Sequence, residues 1–369
     1  MHSNSTLKNE QGFTILEMII SLTIMILILG AVMTLANRAI SIATVTYELT
    51  DAQESLRTAQ EFINRDLMSA GDGLKNLSNI PITKTFVQNY LTRNPVVDPL
   101  NPTASWVTLG ILTTDNDVPA SQVVYGLDPT VPTNPLVYVR STPNLTDRQT
   151  ILEIDPDFTP VALLAPAIDA TGSTITIADT DVGRFTAGEI YFITSTAGGT
   201  FVTLTNVVDT PLVTTSALSV ASGDKFGLNV TGLKAAGGRL STITNNGTLA
   251  TSLQRMRMIH YYVNADGMLM RRVFGVKGVG FRESAIADHV VSVQFLYSLA
   301  PDDNGVIVAP VNRLSDGDMQ IAVRQVEVTV TVETPHAVSK GQRQTISSTT
   351  STSVRNMQFR QALQPKATL

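Results

Sequence analysis

The chain has 369 residues, with 26 Lys and Arg against 31 Asp and Glu, four histidines and no cysteine. That length suits two ordinary domains or one large β-rich domain with an appendage, and the formal net charge of −5 argues against a nucleic-acid surface spread over the molecule. The missing cysteines exclude disulfides, thiolate zinc sites, iron–sulfur clusters and cysteine nucleophiles.

The first twelve residues, MHSNSTLKNEQG, are short and polar. From Met18 to Ala36 the chain is apolar, without charge or proline. As a helix this run is about 28 Å long, the thickness of a bilayer's hydrocarbon core. It predicts a transmembrane helix over 13–36, anchored in the lipid bilayer. A secretory signal peptide fits poorly, because Glu10 offsets the single leader base Lys8 and Thr34-Leu35-Ala36 is a weak cleavage site. A plain signal anchor explains the length but not Glu17, an acid that costs up to ~3 kcal/mol inside a membrane.

Gly12-Phe13-Thr14-Ile15-Leu16-Glu17, followed by an apolar helix, resembles the N-terminus of type IV prepilins and of type II secretion pseudopilins. The resemblance implies that a prepilin peptidase cuts between Gly12 and Phe13, removing a 1–12 leader, and methylates the new amine of Phe13. The residue types suit that chemistry. Gly12 has no side chain to obstruct an extended chain in a narrow site. The Phe13 amine is a cation at the positive end of a helix dipole, and Glu17, one turn on, supplies the opposite charge. In the family this acid pairs with the terminal amine of a neighbouring subunit.

Between Asn37 and Ala70 there is still no proline, and the composition turns amphipathic. Leu49, Leu56 and Ile63 recur every seven residues, with Ala52 and Ala59 between them and Leu67 extending the stripe. A coiled coil is one use for such a stripe. The alanines, with Gln53 and Gln60, favour packing on the chain's own β-domain instead. One helix over Phe13–Ala70, about 87 Å long, then stops at Gly71-Asp72-Gly73. Only Gly30 offers a point for local melting.

Beyond Gly73 short alternating runs are broken by Pro, Gly, Asn and Asp, and residues 71–369 are expected to form a β-rich domain. Within it, 71–245 reads as a loop-rich inserted region and 246–369 as a sheet. Candidate strands are Trp106–Leu112, Val123–Leu127, Leu136–Arg140, Ser173–Ala178, Glu189–Ser195 and Phe201–Val207. Met256–Val263 and Met268–Phe274 flank an Asp-Gly hairpin turn. In Gln320–Glu333 the valines 326, 328, 330 and 332 face one way and polar residues the other, and Thr345–Val354 is its polar partner. The fold class is therefore α+β, a long N-terminal helix packed on a large antiparallel β-rich domain.

No HExxH, P-loop or GxSxG pattern occurs, and Gly278-Val279-Gly280 lacks the third glycine of a nucleotide loop. Acidic stretches at Asp155–Asp157, Asp179/Asp181, Asp302–Asn304 and Asp316–Asp318 read as turns rather than calcium loops. Arg271-Arg272 reads as a solvated hairpin edge. The expectation is no catalytic residue, no cofactor and no metal.

The helix end Arg65–Gly71, the Glu189–Thr194 strand, the MIHYYVNADGMLMRRV hairpin, the stretch from Ile286 to Leu299 and the terminal SVRNMQFRQAL resemble PilW-type minor pilins. That resemblance implies a structural subunit of the bacterial inner membrane, its C-terminal domain in the periplasm and later on the pilus. Its implied partners are other major and minor pilins and the inner-membrane assembly platform, without nucleic acid. A type II secretion pseudopilin and a membrane-anchored binding module are the other two readings.

Overall fold

A computed structural model describes residues 14–74, 80–91, 106–118, 123–126, 136–139, 145–195, 198–208, 214–229, 240, 250–264, 266–277, 280–301, 305–314, 322–336, 343–354 and 356–357. The fold is α+β: a long apolar N-terminal helix followed by a large, antiparallel β-domain. The helix α1 runs unbroken from Ile15 to Ser69, through Gly30. It ends where Gly71 and Gly73 take left-handed φ of 75° and 67°.

Apart from a 3-10 turn at Asp179–Arg184, the elements that follow in chain order are β1 (Ile80–Thr83), α2 (Lys84–Tyr90), β2 (Trp106–Leu109), β3 (Leu112–Val118), β4 (Val123–Gly126) and β5 (Leu136–Val139). Then come β6 (Thr146–Ile154), β7 (Val161–Ile168), β8 (Thr174–Ala178), β9 (Ile190–Ser195), β10 (Gly198–Thr203), β11 (Asn206–Val208) and β12 (Thr215–Ser219). The last group is β13 (Ala250–Val263), β14 (Leu269–Val276), β15 (Gly280–Ala287), β16 (Val290–Leu299), β17 (Val323–Glu333) and β18 (Thr345–Ser353).

Two compact units divide the chain, residues 1–51 with 334–344 in one and 52–333 with 345–369 in the other. In the second unit β13 is the organising strand. Its first half pairs with β7 and β9, and its second half pairs with β6 and β14. The switch falls at Arg255–Arg257, where the Asp155 carboxylate accepts Arg255 Nε and Arg257 Nη2, each at 2.6 Å. A separate sheet in the order β16-β17-β18 has its valine face at 326, 328, 330 and 332 fully buried.

The hydrophobic core is double. The larger part gathers Ala52, Leu56, Ala59, Ile63 and Leu67 of α1 with α2, the β6–β13–β14 region and the β17 valines. The smaller part is built mainly from β7–β12, with Phe158 from the turn before β7, and includes Ile175, Ile193, Val202 and Leu218. The two flanks of β13–β14 meet different elements. Tyr261 and Arg271 reach Asp66 of α1, whereas Arg272 donates from Nη1 to the Tyr90 carbonyl of α2 at 2.7 Å.

Arg272 corrects the reading of a solvated hairpin edge. It has no exposed surface, donates from Nη2 to Glu283 at 2.8 Å and lies over the ring of Tyr262 at 5.1 Å. The edge is closed because β15 pairs along β14, so the charge is carried inside with its counter-ion.

Candidate membrane anchor and assembly segment

Apolar side chains cover the first part of α1. Ile15, Leu22, Leu35 and Tyr47 are 81, 60, 70 and 75% exposed. This stretch holds the window apolar enough to cross a membrane. Five threonines in and beyond it turn their hydroxyls back onto the helix: Thr23 to the Ile19 carbonyl, Thr34 to Gly30, Thr44 to Ile40, Thr46 to Ile42 and Thr50 to Thr46, all within 3.0 Å. Each hydroxyl is satisfied inside its own helix, which is what lipid requires of a polar group.

The start of α1 is a capping box. The Glu17 carboxylate accepts the Thr14 N–H and the Thr14 hydroxyl, both at 3.0 Å, and the Glu17 N–H donates to Thr14 Oγ1 at 3.3 Å. Reading Glu17 only against the Phe13 amine misses this local role, although the Thr-x-x-Glu spacing announces it. Gly12 and Phe13 lie outside the described residues.

Of the stripe residues, Leu56, Ile63 and Leu67 are buried, with at most 6% exposure, and Leu49 is half-buried. On the same helix the nearly buried Glu48 accepts the His336 backbone N–H at 3.2 Å and lies 2.9 Å from His336 Nδ1. Farther along, Asp66 accepts Arg271 Nε at 2.6 Å and the Tyr261 hydroxyl. Burial, helped by the Asp66 charge, holds the Tyr261 phenol protonated well above the ordinary tyrosine range. Arg65 and Arg271 stack over Phe62 at 4.7 and 5.8 Å.

Among the described residues no group of three or more His, Asp or Glu side chains is placed to hold a metal ion. The acidic turns are otherwise engaged: Asp155 by Arg255 and Arg257, Asp181 by Arg184 at 2.9 Å, and Asp179 by the Ser216 hydroxyl at 2.6 Å. Asp302–Asn304 and Asp316–Asp318 lie outside the described residues.

A family model described as the prokaryotic N-terminal methylation motif matches residues 7–33. This N-terminal segment is type IV prepilin-like. The match takes in the second half of the polar leader from Leu7, the Gly12–Phe13 junction, Glu17 and most of the apolar run. No curated protein and no solved structure matches the chain. The prepilin motif belongs to a structural family, and it implies processing by a prepilin peptidase and association with pilins in general. The same segment of α1 fits membrane anchoring by a single helix.

Proposed function

We propose that this chain is a minor pilin of the PilW type, used to initiate a type IV pilus or placed at its tip. After cleavage between Gly12 and Phe13 and methylation of Phe13, residues 13–36 hold it in the inner membrane with the β-domain in the periplasm. Glu17 then pairs with the amine of a neighbouring subunit as the helix leaves lipid for the filament. The assembly platform and other major and minor pilins are its partners, and the stripe at Leu49, Leu56, Ile63 and Leu67 seats the helix on its own domain.

The observation that carries this reading is the length of exposed helix, which still bears large apolar side chains beyond Asn37 and Arg38. From Ile15 to Tyr47 it extends about 50 Å, well beyond a hydrocarbon core of ~30 Å. Ile40, Ile42 and Tyr47 therefore present 64–75% exposed apolar surface that a simple anchor leaves uncovered. A bundle of sister helices covers it. The test is Glu17→Ala in cells, with the chain measured in sheared filaments and in membranes. A loss of tenfold or more from filaments, at unchanged membrane level, is expected. Equal incorporation overturns the pairing role. Normal filaments with failed protein export in a deletion strain would assign the chain to a type II secretion pseudopilus instead.

A further inference from the structure

The β16-β17-β18 sheet meets the main sheet along a seam made by side chains. β16 spends one edge on β17, and on its other edge the Val293 N–H donates to Thr146 Oγ1 at 3.0 Å. The Phe295 N–H donates to Asp147 Oδ2 at 2.8 Å. The second oxygen of the same carboxyl accepts the Asp117 N–H of β3 at 2.9 Å. Beside it the Ser292 hydroxyl donates to the Leu145 carbonyl at 3.0 Å, and Tyr297, Gln149 and Thr114 form a buried hydrogen-bonded trio. Asp147 is only 1% exposed, yet it ties β3, β6 and β16 together.

We propose that this seam is a pH-sensitive joint, with the Asp147 carboxyl as its titrating clasp. The charged and titratable groups around it, among the described residues, are few. β3 brings Asp115 and Asp117, and β6 brings Arg148, which stands opposite Asp115 in the strand register. β16 brings Tyr297, and the segment that bridges it at Val311 carries Arg313. Two further carboxyls, Asp115 and Asp117, thus stand on the strand paired with β6 and act on Asp147 through their charge.

Burial raises the Asp147 carboxyl, the Asp117 and Asp115 charges add to that, and against the pull of the two N–H donors it reaches about 6. Once the seam opens, the group returns to the ordinary 3.8. A closed-state value above the open-state value means that the closed seam binds the extra proton. The seam therefore tightens as the pH falls from about 6 towards 4 and is insensitive to pH above about 6. The opening constant changes by up to about a hundredfold across that window, tenfold for each pH unit of separation.

Hydrogen–deuterium exchange on the full chain in detergent micelles tests this, read between pH 4 and pH 7 after correction for intrinsic exchange. Peptides covering 112–118 and 290–299 should gain protection on acidification, while the 345–353 peptide stays flat. Asp147→Asn should abolish the pH dependence in both seam peptides. Asp117→Asn keeps the backbone donor, removes a repelling charge, and should move the midpoint lower. A flat wild-type profile overturns the joint, as does an unaltered profile in Asp147→Asn. Should that variant not fold, an unmoved midpoint in Asp117→Asn overturns it equally.

Discussion

Replacing Asp66 by alanine is expected to destabilise the β-domain by about 3–5 kcal/mol, because it leaves buried polar partners without their counter-charge. Asp66 is 4% exposed and accepts both Arg271 and Tyr261. Tyr261 is 1% exposed and no solvent replaces the carboxylate at its hydroxyl. The lost contacts also join α1 to β13 and β14, so the effect is felt where the helix ends and the sheet begins. Denaturant unfolding of the detergent-solubilised chain measures it. Because Arg271 and Asp66 act as a pair, the double variant with Arg271→Ala should cost clearly less than the sum of the single changes. Additive costs would show that Asp66 works through packing rather than through its charge.

Gly275→Ala is expected to be at least as damaging, above about 4 kcal/mol, for a purely steric reason. Gly275 is the extra residue of a β-bulge where β14 shifts register against β15 between Phe274 and Val276. Its φ is +80°, and a Cβ there would lie 1.9 Å from the Met256 carbonyl oxygen. Met256 is held in β13, which is paired to β6 by backbone hydrogen bonds, so it has little room to retreat. Gly223→Ala is the matched control. Its φ is +84° but nothing lies within 4 Å of the added methyl, so only the left-handed cost of roughly 1–2 kcal/mol applies. Equal losses at the two glycines would contradict the clash.

Local pattern made parts of this fold legible from the residues. The seven-residue spacing of Leu56 and Ile63, the glycine stop at Gly71 and the valine alternation of β17 each reflect one buried face, and such faces repeat with the helix or strand period. Where burial is two-sided the pattern fades. β6 reads TDRQTILEI, polar through its first half, yet all but its last residue are buried. It therefore yields no candidate strand within the loop-rich 71–245 region, although it is the partner of both β3 and β13. Arg272 misled for the same reason, since its charge is neutralised by Glu283, eleven residues away and on the next strand. α2, only seven residues long, was hidden by its brevity, and the aromatic set it brings together (Phe86, Tyr90, Phe226, Phe274) comes from distant parts of the chain. The N-terminal segment is more readable, because the prepilin motif and the bilayer-length apolar run are each written within a few consecutive residues.

The prepilin reading rests on the fate of the N-terminus, and intact-mass analysis of the chain extracted from the membrane measures that fate directly. The expected species begins at Phe13, lacks the twelve leader residues and carries one added methyl group, and Gly12→Trp should return it to the unprocessed mass. A wild-type chain that retains Met1–Gly12, or one cut after Ala36, would contradict the account.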